Sequence, residues 1–151
     1  MSRTIFSLHL AATLFLVGLI WFVQLVHYPL FDHVTAALSP SYEIAHVWKT
    51  IALVAPVMFA EGATGVLLLW KRPEGVGAPA VWIGLVLLIV IWSSSFFFQV
   101  PLHRLLSQGF DETAHRSLVA TNWIRTIAWS LRGLLVLRMN RKMDGARASA
   151  D

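Results

Sequence analysis

A chain of 151 residues with 57% apolar and only 13% charged side chains, at a mean hydropathy of +0.67, lies outside the ordinary soluble class and reads as one integral membrane domain spanning residues 1–151. Its net charge of +4 and isoelectric point near 10.1 raise nucleic acid as a partner, but the basic residues sit where membrane topology, not a binding stripe, puts them. The absence of cysteine excludes disulfides, thiolate metal sites, iron–sulfur clusters and covalent c-type haem.

Four apolar stretches follow in chain order, about 5–26, 44–70, 79–100 and 117–137. At about 1.5 Å per residue each crosses roughly 30 Å of hydrocarbon, so the expected fold is all-α, an up-down bundle of four transmembrane helices. The first stretch follows Arg3 like a signal peptide, but it is longer than a signal core and ends in His27-Tyr28-Pro29, not a small-residue cleavage site. It is therefore expected to be retained as helix one.

The loop at 27–43 carries Ser39-Pro40, a cap and first turn for helix two, and the Pro- and Gly-rich loop around Lys71–Gly75 is an ordinary turn. In the loop at 101–116, Gly109 is the expected stop, and Asp111 or Thr113 caps helix four. Residues 29–38 and 102–110 are apolar enough to lie as short interfacial segments, a possible lid over the outer face. The Ala-rich basic tail from Arg138 reads as a frayed helical extension.

Arg3, Lys71, Arg72, Arg138, Arg141, Lys142 and Arg147 share one side of this topology, against Lys49, Arg104 and Arg116 on the other. By the positive-inside rule the protein belongs in the bacterial inner membrane with both termini cytoplasmic, and nucleic acid drops out as a partner.

Each helix carries one polar line. His9, Thr13, Gln24 and His27 lie at offsets 0, 4, 15 and 18, and His46, Thr50, Glu61 and Thr64 repeat that spacing. At 100° per residue each set shares one face. Ser95, Gln99 and His103 continue the pattern in helix three, and His115, Asn122, Arg125, Trp129 and Arg132 in helix four. Lipid repels such lines, so they are expected to converge on a polar interior.

Glu61 is the one acid inside any of the four stretches. Its depth lies between those of Arg125 and Arg132, so it is expected to pair with one or both. One reading of that pair is a structural ion pair that fixes packing; the other is a protonatable group or an anion site. Pro56 should kink helix two, while Gly62 and Gly65 allow close approach.

His27, His46, His103 and His115 fall at one membrane face and are the candidate metal ligands, with Asp32, Glu43 or Asp111 as possible partners. Two opposed imidazoles suit haem b, and three suit a His-ligated transition metal; the alternative is a set of hydrogen-bonded interfacial histidines. Candidate cofactor-binding residues are His27, His46, Gln24 and Gln99, and candidate catalytic residues are Glu61, Arg125, Asn122 and Arg132. Trp48, Trp70, Trp82 and Trp123 read as an aromatic belt, and Trp21, Trp92 and Trp129 as core or pocket.

The segments LVHYPLF, PVMFAEG, QVPLH and GFDETAHRSLVATNWIRTIAWSLR together resemble a family of small four-helix bacterial membrane proteins of unassigned function. The last helix is more loosely similar to the anthrone-oxygenase-like group. That second resemblance implies cofactor-light or metal-assisted oxidation of a hydrophobic substrate, and neither assigns catalytic residues. The leading expectation is a membrane oxidoreductase or oxygenase-like protein with an outward polar cavity lined by His27, His46, His103, His115, Gln24, Gln99 and Asn122, with Glu61 and Arg125 beneath. The rivals are an anion- or proton-linked binding or transport protein and a structural accessory subunit.

Overall fold

The computed structural model describes residues 1–34 and 39–148, so the expected interfacial segment at 29–38 falls partly outside the described residues. Every regular element among them is helical. Helix α1 (Ser2–Phe22) runs on through a π-helical turn (Val23–His27) and a 3-10 turn (Pro29–His33). Helix α2 spans Ser39–Leu67, and α3 spans Ala78–Ser94. A second π-helical turn (Ser95–Gln99) joins α3 to α4 (Val100–Leu106), and α5 spans Glu112–Ala148.

Local chemistry sets these boundaries. Pro79 occupies the first turn of α3, where its missing N–H costs no ladder bond, behind an extended Gly77 cap. Asp111 Oδ1 accepts from Ala114 N at 2.6 Å and caps α5. Gly75 has φ +81°, and a Cβ there would meet the Lys142 carbonyl at 2.5 Å; only glycine permits both the turn and the close approach.

Three helical stretches, Ser2–Phe31, Pro40–Leu67 and Ala78–Leu106, are long and apolar enough to cross a membrane. Only 28%, 11% and 22% of their most apolar windows is buried, so most of the apolar surface points outward, as lipid solvation requires. Helix α5 interrupts its apolar run with Asn122, Arg125 and Arg132. The tail is not a frayed extension: Met139 and Met143 are buried against Phe6, Leu68 and Val76, which extends α5 as ordered helix to Ala148.

The interior alternates apolar and polar layers. At the end holding Met1 and the 68–77 turn, Phe6, Leu68, Val81, Val136, Met139 and Met143 form one cluster. Leu16, Ile20, Ile91, Ala128 and Trp129 form a second, and Tyr28, Phe31, Leu106, Ala114 and Leu118 close the far end. Between them lie polar layers around Glu61 and around Gln24 and Asn122, and a third, of Glu43, His46 and His103, borders the far cluster. The exposed Trp48, Trp70 and Trp82 flank this body, and Phe96, Phe97 and Phe98 face outward from the second π turn.

Candidate functional site

The layer nearer the termini is a closed network. Glu61 Oε1 accepts from Thr13 Oγ1 at 2.8 Å and from Arg132 Nε at 2.9 Å, while Oε2 accepts from Trp129 Nε1 at 3.2 Å. Arg132 also donates from Nη1 to the Gly84 carbonyl, and its Nη2 is buried without a partner. His9 Nδ1 meets Thr64 Oγ1 at 3.0 Å, and Thr64 donates onward to the Ala60 carbonyl at 2.6 Å, so His9 is the donor of its own bond. Glu61 and Arg132 are 0% and 1% exposed, which answers the pairing question: Glu61 takes Arg132 and not Arg125.

The middle layer is also packed shut. Asn122 Nδ2 donates to Gln24 Oε1 at 2.9 Å, and Gln24 Nε2 donates to the Val119 carbonyl at 3.2 Å. Gln99 Nε2 donates to Thr121 Oγ1 at 3.1 Å and Gln99 Oε1 accepts from Ser94 at 3.2 Å. Gln24 and Asn122 therefore tie α1 to α5 rather than line a cavity, which corrects the expected lining set.

The far layer is where groups gather around open space. His103 Nδ1 makes a short hydrogen bond with Glu43 Oε1, and His103 Nε2 lies 3.0 Å from the Tyr28 hydroxyl. The tautomer with the proton on His103 Nδ1 satisfies both contacts, donating to Glu43 and accepting from Tyr28 at Nε2. His27 Nε2 and His46 Nδ1 share a 2.7 Å hydrogen bond, and Thr50 Oγ1 is 3.2 Å from the same His46 nitrogen. His115 Nε2 meets the Tyr28 carbonyl at 2.8 Å, and its ring stacks on Phe31, which packs against His27 and His46.

The two π-helical turns explain this convergence. A π turn inserts one residue into the α repeat, so the face pointing inward shifts at that step. In the first turn this buries Gln24 and then Tyr28 while leaving His27 half-buried. In the second it buries Gln99 and presents Ser95 and His103 to the same space. Tyr28 and the pairing of Glu43 with His103 escape the spacing analysis because a constant 100° step cannot register a π turn.

A cleft of about 420 Å³ opens beside this cluster between α2 and the α3–α4 limb. Tyr28, His46, His103, Gln99 and Arg125 form its polar floor, and Ile44, Ile51, Val54, Met58 and Val100 its apolar walls. Trp48, Ile51 and Val100 at its lips are exposed, so it opens sideways from the bundle. His27 faces a separate groove on the other side of α2 with Phe22, Tyr42 and Leu53. Arg125 lies over the Trp129 ring, its guanidinium carbon 5.5 Å from the centroid, and its Nε is buried without a partner.

The four candidate histidines are engaged with protein partners on at least one ring nitrogen each. His103 has both ring nitrogens engaged by Tyr28 and Glu43, and His27 and His46 point nitrogens at each other. His115 is held on the Tyr28 carbonyl, and Asp111 is spent as a helix cap. Among the described residues, which exclude the Asp32 side chain, no three His, Asp or Glu groups are disposed to hold a metal ion.

No protein-family model, curated protein or solved structure matches this chain.

Proposed function

We propose that the protein is a four-span inner-membrane protein, its helices alternating in direction and its termini cytoplasmic, that acts on a lipophilic molecule entering the cleft sideways from the bilayer. The reaction class is oxygenase-like oxidoreduction, with molecular oxygen as the oxidant and proton transfer supplied by Tyr28, His103 and Glu43. The observation that carries this reading is that the Glu43–His103–Tyr28 chain of hydrogen bonds ends at the floor of a cleft whose lips are exposed apolar side chains.

Such a chain has the logic of an activated hydroxyl: a carboxylate fixes the imidazole tautomer, and the imidazole takes the hydroxyl proton as the hydroxyl acts on a substrate. Arg125, at the same floor, is placed to stabilise negative charge developing there. Apolar walls exclude water and strengthen both effects. The rival in which Glu61 carries protons draws less support, because both its oxygens are occupied by donors within a sealed layer.

The test compares lipid extracts, by mass spectrometry, from cells expressing wild type, Tyr28→Phe and His103→Asn at equal membrane levels. A lipophilic metabolite consumed or formed only with wild type is the expected result. Identical extracts from all three remove Tyr28 and His103 from any chemistry.

A further inference from the structure

We propose that the occupant of the cleft is a single-chain lipophilic anion of the fatty-carboxylate type, its ionised oxygens held by the Arg125 guanidinium. This rests on the reading of the cleft as a site for a lipophilic molecule and names the head group that it selects.

The charges in the cleft are one-sided. Arg125 lies at its floor and Arg104 on its lining, and among the described residues no aspartate or glutamate lines it. The nearby acids are spent elsewhere: Glu43 on His103, and Glu61 on Arg132, Thr13 and Trp129. Arg125 is therefore a half-buried guanidinium that hydrogen-bonds the Tyr28 hydroxyl and, among the described residues, has no acidic side chain paired to it, whereas Arg132 of the same helix has Glu61. A cation in that setting is costly until an anion reaches it.

Its geometry suits a carboxylate. The guanidinium packs against the Trp129 ring, which restrains the plane of its donors. A planar fork of donors matches the two oxygens of a carboxylate. Tyr28 and His46 border the same floor and add polar contacts to the head group, while Ile51, Val54 and Met58 of α2 face its chain. A volume of about 420 Å³ falls within the roughly 300–1,000 Å³ of pockets for drug-sized ligands, which suits one chain better than a two-chain phospholipid.

The experiment is photolabelling in phosphatidylcholine nanodiscs in mildly alkaline buffer, with a diazirine fatty acid and the matching diazirine fatty alcohol at equal mole fraction, mapped by mass spectrometry. The expected result is that the acid labels Ile51, Val54, Met58 or Val100 about tenfold more than the alcohol, a difference of about 1.4 kcal/mol. Dodecanoate should compete and dodecanol should not. Arg125→Gln should abolish the preference while keeping the alcohol label, which reports that the cleft is still folded; Arg125→Lys should keep part of it. If Arg125→Gln loses both labels, the wild-type competition decides alone. Equal labelling and competition by acid and alcohol overturn the anion proposal and leave the lipophilic cleft standing. Labels outside the cleft for both probes overturn the cleft reading as well.

Discussion

Arg132 Nε donates to Glu61 Oε1 at 2.9 Å with both side chains sealed from solvent, and Trp129, one turn before Arg132, donates to the other oxygen of the same carboxylate. A charge pair at this depth is held by geometry: three donors from α1 and α5 fix a carboxylate on α2. Removing one partner leaves the other uncompensated. Glu61→Leu is expected to lower stability by about 3–5 kcal/mol, and Glu61→Leu with Arg132→Leu to recover much of that, because apolar replacement of a whole buried pair is often tolerated. Unfolding of the purified variants in detergent checks both, and an additive double variant removes the pairing.

Tyr28, His103 and Glu43 are expected to separate stability from chemistry. Tyr28→Phe deletes the hydroxyl's hydrogen bonds to His103 and Arg125 and should cost about 1–3 kcal/mol, yet abolish any turnover that depends on the hydroxyl. Glu43→Gln keeps a hydrogen-bonding partner for His103 but not its charge, and should alter the imidazole tautomer seen by nitrogen NMR. An unchanged His103 spectrum in Glu43→Gln breaks the proposed chain at its first link.

Gly75 should be irreplaceable where Gly18 is not. Alanine at 75 combines positive φ with a 2.5 Å approach to the Lys142 carbonyl, and the left-handed conformation alone costs about 1–2 kcal/mol. Alanine at Gly18 meets nothing within 4 Å and should stabilise helix α1 by about 0.5–1 kcal/mol. Thermal melts of the two variants should shift in opposite directions.

Because the chain has no cysteine, single-cysteine labelling reads its topology directly. Glu74→Cys and Arg147→Cys should react with a membrane-impermeant maleimide only after the cytoplasmic face is opened, and Gln108→Cys from the opposite face. Arg147→Cys reacting with Gln108→Cys would show that α5 does not cross.

His103 has both ring nitrogens engaged and His27 and His46 bond each other, so protein purified in detergent is expected to carry neither a Soret band nor stoichiometric metal. A Soret band lost in His46→Ala would overturn the hydrogen-bonded reading of the cluster.

Much of the candidate site was legible in the residues. The polar lines of the four apolar stretches did converge, Glu61 did find an arginine, and Asp111 did cap α5. What spacing alone could not resolve was which arginine, because depth estimates place Glu61 between the two and only packing chooses. Nor could it separate polar residues that tie helices together, such as Gln24 and Asn122, from those that border open space, such as Arg125 and His46. Both kinds lie on the same face of a helix wheel.

Composition and periodicity determined that this chain is helical, carries helices long and apolar enough to cross a membrane and turns much of its polar set inward, because lipid admits no other home for backbone and polar groups. Only the tertiary structure decided that Tyr28 belongs to the cluster, that α2 stands off the α3–α4 limb to leave a cleft, and that Arg125 faces it without an acid. Those outcomes depend on two π turns and on the match of neighbouring surfaces, which a residue pattern along one helix does not contain.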